Sequence, residues 1–147
     1  MQVVPTTRVE KKVKDGVAYY TVFWSSIKQV DKYDIQRTVP AMAGIFELFY
    51  RGDDRKLHLF YYGKAWLGGL RAVIREMTDP ILMKDRPDIQ DILKKHECYY
   101  RFAVCESRED MEDLIGFFAR TSGTPQPAAS GRYKDVRLKE IEGQGRL

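Results

Sequence analysis

The spacing of apolar positions along the chain changes character several times, and each change marks an element. The first forty residues read as β structure: Val17 to Trp24 is dense in β-branched and aromatic residues, preceded by the turn signal Lys14-Asp15-Gly16. Pro5 and Pro40 form natural edges for this segment. Gly44 to Tyr50 and Lys56 to Tyr62 are two β-prone runs joined by Arg51-Gly52-Asp53-Asp54, the pattern of an antiparallel hairpin.

Helical spacing then takes over. Leu67, Leu70, Val73, Ile74 and Met77 recur at steps of three and four, which predicts an amphipathic helix from Trp66 to Met77. Gly68-Gly69 weakens its start by about 1 kcal/mol per glycine relative to alanine. Pro80 and Pro87 bracket a connection, and Asp88 to His96 reads as a second helix with Ile89, Ile92 and Leu93 on one face. Cys98 to Cys105 reads as a buried strand. Ser107 is an apt N-cap, with Glu109 and Asp110 in the first turn of a third helix running to Arg120 on Met111, Leu114, Ile115 and Phe118. Thr121 to Gly131 is rich in Gly, Pro, Ser and Ala and reads as a linker, leaving Arg132 to Glu140 as an edge strand or tail. The expected class is α+β: a small, mainly antiparallel sheet flanked by helices in an α/β sandwich. The expected division is a β extension over 1–39, a domain over 40–120, and a linker with its tail over 121–147.

Composition narrows the classes. At 44% apolar and 31% charged residues, the chain has the makeup of an ordinary globular protein, which argues against wholesale disorder. No apolar run approaches the roughly 18–20 residues that span a bilayer, so no membrane partner is expected. The start, Met1-Gln2-Val3-Val4-Pro5-Thr6-Thr7, lacks a basic stretch followed by an apolar one and is not expected to act as a signal peptide. Cys98 and Cys105 lie about 23 Å apart in an extended strand, too far for a disulfide. Reduced thiols and a cytoplasmic location are the expectation. A net charge of +4 permits contact with a phosphate backbone without requiring it.

The hairpin also carries candidate chemistry. Its first strand holds Gly44-Ile45-Phe46, and its second holds Tyr61-Tyr62-Gly63 followed by Lys64-Ala65. Arg71 stands eight residues past Gly63, and Glu112 precedes Asp113-Leu114-Ile115 on the third helix. In this order the motifs resemble those of the GIY-YIG nucleases, over roughly residues 40–120, with Tyr61 to Ala65 similar to the Tyr-Val-Gly-Lys-Ala run of the excision-repair members. The chain departs from that pattern at Phe46, where the family has tyrosine. It departs again at Lys134, which follows Arg132-Tyr133 where the excision-repair type has asparagine.

The resemblance implies a metal-dependent endonuclease that hydrolyses DNA phosphodiester bonds. Tyr61 would act as general base and Lys64 as the nearby cation favouring its ionised form. Arg71 would clamp the phosphate with its planar fork, and Glu112 would hold Mg²⁺ or Mn²⁺. The alternative is a catalytically degenerate module of the same fold that binds nucleic acid or a protein partner, which Phe46 and the modest charge favour. A third option makes the aromatic N-terminal sheet a homodimer seam; the sequence leaves the oligomeric state open. Taken without the family, Phe46, Tyr61 and Tyr62 read as packed strand residues, and Arg71 and Glu112 as half-exposed helix residues in surface ion pairs. Tyr19, Tyr20, Phe23 and Trp24 read as sheet packing rather than base stacking. His58 and His96 fit no metal-ligand spacing.

Overall fold

The computed structural model of the chain describes residues 7–121 and 130–143. The readings made for the extreme N-terminus, most of the linker and the last four residues lie outside that range.

In chain order the elements are β1 (Arg8–Lys14), β2 (Val17–Phe23), β3 (Lys28–Gln29), α1 (Lys32–Thr38), β4 (Gly44–Arg51), β5 (Leu57–Ala65), α2 (Gly69–Met77), α3 (Pro87–Lys95), β6 (Cys98–Val104), α4 (Arg108–Thr121) and β7 (Asp135–Ile141). They build two sheets, one mixed and one wholly antiparallel, so the class is α+β.

The antiparallel sheet runs β3-β6-β4-β5 and forms the middle layer. Both of its faces are covered, which is why β6 is buried at successive positions, Cys98 to Ala103, rather than at alternate ones. One face packs Phe46, Leu48, Tyr100 and Phe102 against Ile35 of α1, Leu70 and Ile74 of α2 and Ile89 of α3. The other packs Ile45 and Ala103 against Met111, Leu114 and Phe118 of α4 and against Tyr20, Val22 and Trp24.

The second sheet runs β1-β2-β7. β1 and β2 form a hairpin through Asp15-Gly16, both at positive φ (54° and 78°), the backbone a two-residue turn needs to match strand twist. β2 then pairs with β7 in parallel, Val17 opposite Asp135 through Phe23 opposite Ile141. Along β2, Ala18, Tyr20 and Val22 are buried in the core, while Tyr19 between them is 47% exposed. The packing of the first forty residues reads as more than an extension: β3 joins the central sheet, and the inner face of β2 shares one core with α4.

Two elements differ from expectation. α1 occupies a stretch read as β structure, with Asp31 as N-cap accepting hydrogen bonds from the backbone N–H groups of Tyr33 and Asp34. It is short and buries only Ile35, too little apolar pattern to register as helical spacing. α2 begins at Gly69, not Trp66, because β5 extends through Ala65 and Gly68 and Gly69 both sit at positive φ (83° and 77°). A side chain at Gly69 would meet the Ala41 carbonyl carbon at 2.9 Å. The glycine pair is therefore the joint between strand and helix.

Cys98 and Cys105 are both buried and free. Among the described residues, no helix is long and apolar enough to cross a membrane.

Candidate functional site

The β4–β5 hairpin sets the geometry of the signature residues. In antiparallel pairing, residues directly opposite one another point to the same face. The register puts Phe46 opposite Gly63 and Leu48 opposite Tyr61, while Ile45 faces Lys64 and Glu47 faces Tyr62. Tyr61 therefore shares the α1–α3 side with Phe46, and Lys64 points to the α4 side. Tyr61 and Phe46 pack ring on ring, centroids 5.8 Å apart. Gly63 makes room for them: a Cβ there would lie 2.9 Å from Tyr61 Cε2 and 3.3 Å from Phe46 Cζ.

Arg71 lies in the first turn of α2, where the backbone N–H groups of Leu70 and Arg71 donate to the carbonyls of Met42 and Pro40. Its Nε donates to the Val39 carbonyl at 2.8 Å, so the side chain ties α2 to the end of α1. Among the described residues, its terminal Nη atoms have no hydrogen-bond partner. Glu112 on α4 meets Lys64 Nζ at 3.7 Å and Arg108 Nε at 3.6 Å. Of the four residues singled out from the sequence, then, the structure brings Lys64 and Glu112 into contact and leaves Tyr61 and Arg71 on the other side of the sheet.

A hard divalent cation takes several oxygen ligands. Glu112 offers one carboxylate, already flanked by two cations. Among the described residues, no group of three or more Asp, Glu, His or Cys side chains is arranged to hold a metal. Glu112 alone would leave most of the coordination shell of Mg²⁺ or Mn²⁺ to water and to phosphate oxygens of a substrate.

Two polar clusters escaped the sequence reading. In the first, Arg101 of β6 lies beside Glu47 of β4, with Nε and Nη2 each 2.7 Å from Glu47 Oε1. Its Nη1 donates to Glu142 at 2.8 Å, and the guanidinium lies 4.4 Å from the Trp24 ring centroid. Trp24 Nε1 in turn donates to Glu140. Glu47 and Arg101 line a cavity of about 240 Å³ together with Phe49, Leu59, Tyr62 and Phe118. Burial pushes the Glu47 carboxyl above the usual glutamate range, outweighing the attraction of Arg101. Opposite charges set inside the apolar runs Ile45 to Phe49 and Tyr99 to Phe102 were the available signal.

The second cluster fastens the C-terminal strand. Asp110 and Asp113 of α4 each accept from Arg132 Nη2 at 2.8 Å. Asp113 also accepts from the Ser130 N–H and hydroxyl, while Tyr20 OH and Lys11 Nζ donate to Asp110 at 2.9 Å. Burial alone would raise the Asp110 carboxyl, but the hydrogen bonds from Arg132, Lys11 and Tyr20 win and hold it below the usual aspartate range. Arg132, which stands in the Arg-Tyr pair noted in the sequence, thus acts as a strut between α4 and the chain entering β7.

Comparison with curated proteins and with solved structures returned no match. One family model does match, over residues 8–145, which takes in both sheets and the four helices of the described residues. The chain belongs to that family, whose description reads "Uncharacterised protein".

Proposed function

We propose that this chain is a nucleic-acid-binding module of the GIY-YIG type whose hydrolytic residues are divided between two sides of a sheet. The observation that carries the reading is the register of β4 and β5. Phe46 opposite Gly63 brings both signature motifs into one hairpin, and the same register sends Tyr61 and Lys64 to opposite faces. A general base must come within about 3 Å of the proton it removes, directly or through one water. Its phosphate clamp and Lewis acid must converge on the same phosphorus. Tyr61, packed at a tilt against Phe46, and Glu112, paired with Lys64 and Arg108, do not meet that demand. The positive net charge suits a polyanion, and DNA is the partner class the resemblance implies.

A second reading, the metal-dependent endonuclease itself, draws on one observation: Lys64 and Glu112, picked from distant parts of the sequence, meet at 3.7 Å on a partly exposed surface. One experiment separates the two. The purified protein is incubated with supercoiled plasmid and with single-stranded DNA, in Mg²⁺, Mn²⁺ or EDTA, while binding is followed by fluorescence anisotropy across a salt series. Salt-dependent binding without cleavage is expected. Metal-dependent nicking that disappears in Glu112→Ala would overturn the binding-module reading in favour of the endonuclease, and absence of any binding would sink both.

A further inference from the structure

The outer face of the β1-β2-β7 sheet looks away from the core and has no element packed on it among the described residues. Its side chains follow from the register. The middle row across the three strands is Lys12, Tyr19 and Arg137, all exposed. The next row is Glu10, Thr21 and Lys139, and beyond it Phe23 lies between Arg8 and Ile141. Lys14 and Asp135 complete the face at the turn end. Basic residues outnumber acidic ones here by five to two, so most of the chain's charge excess of +4 is matched by this one face.

Tyr19 is the telling residue. Its neighbours on β2, Ala18 and Tyr20, are buried at 0% and 1% exposure, whereas Tyr19 keeps 47% of its surface in solvent. An exposed ring at the centre of a sheet gains little from packing, yet this one has a cation directly across on each side. Adjacent strands lie about 4.8 Å apart, so Lys12 and Arg137 straddle the ring at a combined span of roughly 10 Å. Arg137 is paired with Asp135 at 2.8 Å, but both are well exposed, and such a pair is weak and salt-screened. Phe23 supplies a second ring, its face covered by the Arg8 guanidinium at 3.9 Å from the centroid.

We propose that this face binds single-stranded nucleic acid, with a base stacked on Tyr19 and flanking phosphates held by Lys12 and Arg137. The inference rests on the nucleic-acid reading above and names the surface and strand form within it. Stacking on an aromatic side chain requires an unstacked base, which a single strand offers and a duplex does not. Charge complementarity selects a polyanion over an apolar partner. Lys12 and Lys139 have no ion-pair partner among the described residues that would compete for them. DNA and RNA single strands share the recognised chemistry.

The test uses the full chain and labelled oligonucleotides of about a dozen nucleotides: oligo-dT, oligo-rU and a duplex of the same length, titrated by fluorescence anisotropy. Tyr19→Ala is expected to weaken single-strand binding by roughly 5- to 150-fold, and Tyr19→Phe to retain it. Lys12→Gln and Arg137→Gln are each expected to lower the slope of log K against log salt by about 0.7. All three positions are exposed, and thermal unfolding of each variant verifies that the fold is intact. Preference between oligo-dT and oligo-rU identifies the natural strand, and either is consistent with the site. Three results would overturn it. They are wild-type affinity in Tyr19→Ala, duplex binding as tight as single-strand binding, or concentration-dependent self-association that Tyr19→Ala abolishes. If the variants bind like the wild type, the platform fails and the nucleic-acid reading stands; if the wild type binds no nucleic acid, both fail.

Discussion

The signature glycine Gly44 should be intolerant of even one added methyl group, for a reason the sheet makes explicit. Its backbone is ordinary extended strand, since Gly44 is not among the positive-φ glycines, so alanine is conformationally allowed. In open surroundings Gly44→Ala would gain about 0.4–1 kcal/mol by restricting the unfolded chain. Here a Cβ would lie 2.4 Å from the Ala103 carbonyl oxygen and 2.6 Å from Leu70 Cδ1. The first obstacle is backbone of the neighbouring strand β6, and the second is a fully buried side chain of α2. To restore even a 3.0 Å contact the carbonyl must retreat by about 0.6 Å, which moves β6 relative to β4. Overpacking of a dense core costs about 1–3 kcal/mol, and an obstacle made of backbone belongs at the upper end. The net expectation is a loss of about 2 kcal/mol, or about 4–8 °C in Tm for a chain of this size. Gly63→Ala is the internal control. It meets only side-chain ring atoms, Tyr61 Cε2 at 2.9 Å and Phe46 Cζ at 3.3 Å, and the half-buried Tyr61 ring can shift, so its cost should fall at the low end of the same range, about 1 kcal/mol. Urea unfolding of the two variants beside the wild type measures both numbers. If Gly44→Ala matched wild-type stability, or if Gly63→Ala proved the costlier of the two, the close-approach argument would be wrong.

Two further outcomes follow from the polar and sulfur chemistry. Asp110 has a folded-state pKa below its ordinary value, so the stability it contributes is present above about pH 4 and is lost as pH falls through the lowered value. Asp110→Asn should therefore cost about 2 kcal/mol near neutrality, with the gap to wild type narrowing as pH falls below about 4; urea unfolding that showed the same gap at about pH 7 and about pH 3 would contradict the assignment. Burial pushes the Cys98 thiol up to about 11 and also raises Cys105. Neither should react with a thiol reagent at pH 8 in the native protein, while both of the chain's cysteines should label in denaturant. Rapid labelling of the folded protein at either position would show the core to be more open than described.

The hairpin, α3, β6 and α4 were legible in the sequence because each carries a strong local period and a clear boundary. α1 was not, having one buried residue to announce it. The parallel pairing of β2 with β7 was illegible for a different reason: it joins residues more than a hundred positions apart, and no local pattern encodes a partner that distant. The division of the candidate site was in fact readable. Tyr61 and Lys64 are three positions apart on a strand, and an odd separation on a regular strand puts two side chains on opposite faces. The reading of Tyr19, Tyr20, Phe23 and Trp24 as packing holds for Tyr20 and Trp24, which are buried, and fails for the exposed Tyr19. With aromatic residues at adjacent positions, the period did not reveal which side of β2 faced inward.

The place of β2 in its sheet has a consequence for how the protein is made. A ribosome releases β1 and β2 long before it releases α4 and β7, so the hairpin emerges with Ala18, Tyr20, Val22 and Trp24 uncovered and one strand edge unpaired. Local pairing forms early, but the core around Tyr20 can close only after Asp110, Asp113 and Arg132 have been synthesised. A nascent chain in that state exposes a sticky apolar face and an open edge, both of which favour misassociation. Chaperone protection should matter most during that interval, and a stop codon before Ser130 would make the interval permanent.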